Sequence, residues 1–484
     1  MMRRGSLTVA ALALVLTACS YPTRNVEIAT LSQNQGYRWN TLPPDGMPGT
    51  LVIVTASGGG TRAAVLEQSV LEAMNDVSLP NGKTLADEID VLSSVSGGSV
   101  TAAYFTAHGA AGFPTLEKFL RKDGMGTLEW RLLNPFGLIK YSLAAHERID
   151  PLIDYFDENL FHDAMFQSLL DNRRRPFLVL NAADMVEGVP FAFTQDNFDL
   201  LCSDLARTKL STAVAASAAF PVALSPVTLT NYSHCSAENG RTWPPRWAQN
   251  AAKTSWYTNP VRVMEGRIAS AYAEGNQGAH PKKYIHLLDG GIADNLGVAA
   301  PLRFLTTQSS EPSFLNAIAQ GQITRIVFVM INARSASLSK LDGQKATPGV
   351  FAMLGATIDA GIDRTTMSTA QRVRTLLDSE FAYQAEREEQ MNQPALAKRF
   401  REISANTRLI DIDFDAIADR PCRQAYHDIA TSWTLSGPEI DGLLIMGKAL
   451  LGSDPGFAPV IQGIGGTLTK PLPTVAEACL ALPH

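Results

Sequence analysis

Three short stretches place small residues around groups able to attack, to accept a proton or to hold negative charge. They are Gly58-Gly59-Gly60-Thr61-Arg62, Ser94-Val95-Ser96-Gly97-Gly98 and Asp289-Gly290-Gly291. The first sits between an apolar, β-branched run, Thr50 to Ala56, and helical spacing at Val65, Leu66, Val70, Leu71 and Met74. Such a glycine turn between strand and helix has three common meanings. A phosphate loop needs a lysine after its glycines, and none follows here. The dinucleotide fingerprint fits Gly58 to Ala63 as written, but it also needs an acidic residue closing the second strand, which here closes on Leu92-Ser93-Ser94. The third meaning is an oxyanion hole, in which glycines let backbone N–H groups approach a developing negative charge at a helix N-terminus.

An oxyanion hole calls for a nucleophile at the end of a neighbouring strand. Ser96 has small residues two before and two after it, as a strained nucleophile turn requires. Ser99 meets β-branched Thr101 at the corresponding place, and Ser94 meets Leu92. Ser96 is therefore the expected nucleophile, and Ser94 replaces the first glycine of the usual G-x-S-x-G pattern. For a base, the chain offers His108, His146, His162, His234, His280, His286, His427 and His484, none of them closing a core strand within a motif. Asp289 does close one. Alone, Asp289-Gly290-Gly291 would read as a plain turn.

Taken in chain order, the three motifs resemble the patatin-like phospholipases. Ala216-Ser217-Ala218-Ala219-Phe220-Pro221, with Pro226 beyond, is similar to a fourth block of that family. The resemblance covers about residues 50 to 335. It implies a three-layer α/β sandwich with a mostly parallel central sheet, and a Ser–Asp dyad needing neither cofactor nor metal. Ser96 would attack an acyl carbonyl, Asp289 would take its proton, and the N–H groups of Gly58, Gly59 and Gly60 would hold the oxyanion. Arg62 would brace that loop, with Gly98, Gly290 and Gly291 as supporting residues of the other two turns. The substrate class implied is a phospholipid or another acyl-ester lipid. A non-catalytic lipid-binding or scaffold lipoprotein on the same fold, or an acyltransferase using the same acyl-enzyme, are the alternative functions.

The elements that must position these residues follow from hydrophobic period. Thr50–Ala56, Ile89–Ser93, Tyr284–Leu288 and Ile323–Ile331 read as buried strands, with helices from Ala63 to Val77 and from about Gly98 to Ala107. Residues 115 to 172 read as helical, and Phe177–Ala183 with Val189–Thr194 as a hairpin around Gly188. A small-residue helix over 211–220 stops at Pro221. About residues 227–283 form an inserted, aromatic-rich segment that includes Tyr232, Trp243, Trp247, Trp256 and Tyr257. Beyond the catalytic domain, placed at 49–335, a C-terminal extension at 336–484 carries one long charged helical region, Asp363–Ala405. It also carries a half-exposed strand, Arg408–Phe414. Ser217 reads as a small residue at a helix crossing, and Asp294 with Asn295 as a cap.

Composition sets the outer bounds. The 484 residues are 45% hydrophobic and 18% charged, an ordinary globular balance, and a net charge of −6 without a basic stripe argues against a nucleic-acid partner. Arg3 and Arg4 precede an apolar run, Leu7 to Leu16, that is half the ~20 residues a spanning helix needs. It ends in Leu16-Thr17-Ala18-Cys19, which resembles a bacterial lipoprotein signal. Residues 1–18 would then be removed, Cys19 acylated, and 19–48 left as a tether. Ser20 points to the outer membrane of the cell envelope, with secretion after cleavage near Ala18 as the alternative. Cys202, Cys235, Cys422 and Cys479 remain, with no C-x-x-C pair for zinc. Three disulfide connectivities are open to them. Neighbour pairing, Cys202 with Cys235 and Cys422 with Cys479, is the one expected. The sequence leaves the oligomeric state open.

Overall fold

The computed structural model describes residues 23–482 apart from 33, 44–45, 134–145, 173–174, 222, 234, 238–259, 276–280, 307–312 and 336–348. Cys19 and its signal, and Trp243, Trp247, Trp256 and Tyr257 of the aromatic-rich segment, lie outside the described residues.

A central sheet carries eight strands, numbered in chain order: β1 Gly49–Ala56, β2 Val91–Val95, β3 Phe177–Asp184, β4 Pro190–Ala192, β5 Val227–Thr230, β6 Tyr284–Asp289, β7 Ile323–Asn332 and β8 Thr407–Asp413. Their order is β8-β7-β1-β2-β3-β6-β5, with β4 paired to β3. β8, β7, β1, β2 and β3 run parallel to one another, whereas β6 is antiparallel to both β3 and β5. The central members β1, β2 and β3 are buried almost throughout, as expected where helices cover both faces of a parallel sheet. The hairpin read around Gly188 is present as β3 and β4.

The helices that concern the site are α1 Gly60–Asn75, α2 Gly97–His108, α3 Leu210–Ser217, α4 Val350–Gln390, α5 Pro394–Asn406, α6 Arg420–Asp428, α7 Gly437–Ser453 and α8 Val475–Ala481. Helix α1 is buried on nearly every side, which explains its weak amphipathic pattern. It touches α7 closely: the Ser69 hydroxyl donates to the Leu444 carbonyl at 2.6 Å, and a Cβ on Gly447 would lie 2.6 Å from Ser69 Oγ.

Several boundaries differ from the sequence reading. Helix α1 starts at Gly60 rather than Ala63, which places Arg62 in its buried first turn. Helix α3 ends at Ser217, before Ala218 and Ala219 lead into Pro221. The single charged helix expected over 363–405 is two helices, and the first begins at Val350. Asn392 takes a left-handed φ of 58° between them, and Pro394 opens α5, since proline cannot supply an interior helix N–H. The segment expected as an insertion from about 227 opens with β5, an edge strand of the sheet itself. The chain after 335 is joined to the same sheet, because β8 pairs with β7 over seven residues from Thr407 to Asp413. Sγ atoms of Cys202 and Cys235 are bonded, as are those of Cys422 and Cys479.

Candidate active site

The C-terminal ends of β1, β2 and β6 bring the three motifs together. Ser96 occupies the turn from β2 into α2 with φ 51° and ψ −118°, a conformation that costs a non-glycine residue strain and persists only where the surroundings enforce it. Its Oγ donates to Asp289 Oδ2 at 2.7 Å. Asp289 closes β6, and its Oδ1 accepts from the Gly291 N–H at 2.8 Å. Both side chains are nearly enclosed, with 7% of Ser96 and 6% of Asp289 exposed. Burial raises the Asp289 carboxyl to about 6, against the lowering pull of the Gly291 N–H and the Ser96 hydroxyl. Among the described residues no histidine hydrogen-bonds to either group; His286 meets Thr228, and His427 meets Asp415 and the Arg334 carbonyl.

Two glycines are fixed by close approach. A Cβ on Gly97 would lie 1.9 Å from the Gly60 carbonyl oxygen, so the nucleophile turn and the glycine loop are in backbone contact. A Cβ on Gly290 would lie 2.2 Å from the Asn181 carbonyl oxygen. Gly98 faces the Ser57 carbonyl and Glu67 Oε2. At Gly291 a Cβ would meet Asn295 Oδ1 at 3.0 Å and Asp289 Oδ1 at 3.1 Å.

The glycine loop does not offer all the donors the sequence assigned to it. The Gly58 N–H is already spent on Asn295, reaching its backbone carbonyl at 3.1 Å and its side-chain Oδ1 at 3.2 Å. The next helix N–H, that of Thr61, donates to the Ser432 carbonyl at 2.8 Å. Between these two, the N–H groups of Gly59 and Gly60 make no hydrogen bond among the described residues, and neither does that of Gly97. These three amides flank Ser96 at the starts of α1 and α2, where unpaired N–H groups and helix dipoles favour an anion. Gly58 is thus a spacer: a Cβ there would come within 2.7 Å of Asn295 Oδ1 and 3.2 Å of Ser96 Cβ.

Two side chains read as bystanders hold the turns. Ser217 Oγ accepts the Ser96 N–H at 2.9 Å, donates to the Asn181 carbonyl at 2.5 Å and lies 2.8 Å from Ser99 Oγ. Asn295 ties the glycine loop to the Asp289 turn. Asp294 does cap, accepting from the Ala299 N–H at 2.7 Å. The position of Ser217 in the Ala216–Pro221 block and of Asn295 six residues after Asp289 were the available signals. Nothing comparable marked Gly97 as a donor, because any elbow residue there would carry an N–H. The arrangement can generate a nucleophilic oxygen beside a carboxylate base, with unpaired amides at two neighbouring helix starts.

Residues 54–302, more than half of the chain, match the family described as Patatin-like phospholipase. No curated protein matches significantly. Among solved structures, the human GIVD cytosolic phospholipase A2 aligns at 13% identity over 64% of this chain and 49% of its own, with a TM-score of 0.35. The same human protein in complex with methyl gamma-linolenyl fluorophosphonate aligns at 11% identity over 90% of this chain and 60% of its own, with a TM-score of 0.38. The chain thus spans about half to three-fifths of those relatives, and at such scores they add nothing about chemistry. The match to the family model covers β2 to α3 and β6, the elements that carry Ser96 and Asp289, and by it the chain belongs to the patatin-like phospholipase family of lipid hydrolases.

Proposed function

We propose that this chain is a serine acyl-ester hydrolase of the phospholipase A or lysophospholipase type, working through a Ser96–Asp289 dyad. The observation that carries the reading is the 2.7 Å hydrogen bond from Ser96 Oγ to Asp289 Oδ2, made by a serine in a strained turn beside unpaired amides. Ionised Asp289 accepts the hydroxyl proton as Ser96 Oγ bonds to the acyl carbon. The carbonyl electrons move onto the oxygen, which the Gly59, Gly60 and Gly97 N–H groups receive. When the tetrahedral intermediate collapses, the protonated Asp289 gives its proton to the departing alcohol. Water then repeats the sequence on the acyl-enzyme, its proton going to Asp289 and back to Ser96. A carboxylate pushed up to about 6 is a better base than an ordinary one and is still ionised at neutral pH.

The test is covalent. A fluorophosphonate probe is expected to label the purified protein on the peptide containing Ser96, and Ser96→Ala is expected to lose both labelling and ester hydrolysis while folding normally. Retained turnover in Ser96→Ala would sink the assignment.

The same reading places the enzyme on a membrane through acylated Cys19, in a bacterial envelope and at its outer membrane. The Leu16–Cys19 motif supports this part. Cys19→Ser should move the protein out of the membrane fraction or leave it uncleaved; unchanged fractionation with no acyl mass on the N-terminal peptide would favour ordinary secretion.

A further inference from the structure

The first turn of α1 is held by residues far outside the family-matched part of the chain. Arg62 is 2% exposed, and no carboxylate among the described residues hydrogen-bonds to it. Its Nε donates to the Ala333 carbonyl at 2.8 Å, its Nη1 to the Ile429 carbonyl and its Nη2 to Thr431 Oγ1 at 3.0 Å. One residue on, the Ser432 carbonyl accepts from the Thr61 N–H, and Gly60 lies so close that a Cβ there would come within 2.5 Å of that oxygen. The segment 429–432 therefore grips the glycine loop twice, by a side chain and by a main-chain bond.

Both ends of that segment are anchored. Before it, α6 is tied to α8 by the Cys422–Cys479 disulfide. After it, Trp433 packs edge-on against Phe156 at 5.4 Å, and Thr434 Oγ1 accepts from the Met125 N–H at 3.0 Å. Ser436 then caps α7, the helix already packed on α1. A segment fixed at both ends can impose geometry on what it touches.

We propose that Ile429–Ser432 is a positioning strap of the active site, holding the Gly59 and Gly60 amides opposite Ser96. Ser432 has a second effect, because by taking the Thr61 N–H it limits the free donors at the start of α1 to those beside the nucleophile. A guanidinium suits this role, since its planar fork serves three acceptors in fixed directions, which a lysine could not do. Burial lowers it only to about 10, so it stays charged at neutral pH. The inference rests on the Ser96–Asp289 reading given above. It adds that catalysis depends on residues that contact neither substrate nor nucleophile.

Thr431 gives a clean test because its side chain is exposed, so the loss of its hydroxyl removes no core packing. Thr431→Val and Thr431→Ser in the full chain are compared with wild type on a short soluble p-nitrophenyl ester and on a fluorophosphonate probe. Thr431→Val is expected to lower kcat and the labelling rate constant together, each about tenfold, with KM within about twofold. The labelled fraction at completion should stay full, and Thr431→Ser should restore both rates. Wild-type rates in Thr431→Val would overturn the strap. So would a reduced labelled fraction with unchanged turnover per labelled site, since that is what a role in folding alone would give. If wild-type protein is not labelled at Ser96 at all, the dyad reading itself has failed, and the strap falls with it.

Discussion

Asn295 accepts the Gly58 N–H with both of its oxygens, the backbone carbonyl at 3.1 Å and Oδ1 at 3.2 Å. Its amide Nδ2 reaches Thr366 on α4 at 3.2 Å, so one side chain spans the glycine loop, the Asp289 turn and the covering helix. Asn295→Ala should lower kcat about tenfold with little change in KM, because the loop loses one of its two tethers. Asn295→Asp keeps an acceptor but adds negative charge beside the oxyanion, and should cost more than alanine. Steady-state kinetics of the two variants check the order.

In the proposed dyad Asp289 sets the pH dependence. Its carboxyl, raised by burial from 3.8 to about 6, must be ionised to act as base, so kcat/KM should climb as pH rises through about 6 and level off above. Stability moves the other way. The folded chain holds this proton more tightly than the unfolded chain between about 4 and 6, so its contribution falls across that window and stays lower above it. Asp289→Asn removes a cost on the order of 3 kcal/mol at neutral pH while abolishing turnover. Thermal melts should show the inactive variant more stable than wild type at pH 8, with no such gain at pH 3.5.

Gly59 tests the oxyanion reading against the dinucleotide reading. Its φ is 144°, and a Cβ would meet Arg62 Nη2 at 3.1 Å and Ala63 Cβ at 3.3 Å. Gly59→Ala should displace a donor and cost ~10²–10³ in kcat, with only a modest change in KM. Calorimetry should find no binding of NAD to the wild type, and esterase activity untouched in the variant would refute the placement.

Ser217→Ala removes the acceptor of the Ser96 N–H and leaves that buried amide unpaired, at a cost of about 1–3 kcal/mol in stability. Because the nucleophile turn loses its support, kcat should fall as well, about tenfold. Denaturant unfolding and steady-state rates, measured on the same preparation, test both effects.

The Cys422–Cys479 bond closes a loop with a sequence separation of 57 residues, for which chain entropy gives about 4 kcal/mol. Cys422→Ser should lower the denaturation midpoint accordingly, and because α6 leads into Ile429, it should also reduce the fluorophosphonate labelling rate. Unchanged labelling at a temperature where the variant is fully folded would separate the bond from the site.

What the sequence disclosed about this site is what steric exclusion writes into residue type. Gly97 and Gly290 face backbone oxygens too near for any Cβ, so only glycine serves, and a strained turn with small flanks singled out Ser96. The strands β1 and β7 were legible because burial on both faces demands unbroken β-branched runs. Bonds made by main-chain atoms leave no such mark. The closure of Gly58 depends on Asn295, 237 positions away, and the Ser432 carbonyl would be there whatever the side chain. The break at Asn392–Pro394 was readable from the proline but was overridden by the charged helical pattern on both sides. β5 alternates buried and half-buried residues over Val227–Thr230, a short signal lost among the prolines and aromatics that follow.

The distance between Arg62 and its partners has a temporal meaning. A chain made from its N-terminus lays down the glycine loop, Ser96 and Asp289 by residue 291, yet the partners of Arg62 at Ile429 and Thr431 are 367 and 369 residues downstream of it. Strand β8, the outer neighbour of β7, is also still missing at that stage. The first turn of α1 therefore lacks these holds until nearly the whole polypeptide has been synthesised. A growing or prematurely ended chain would carry Ser96 and Asp289 without a fully fixed place for the oxyanion.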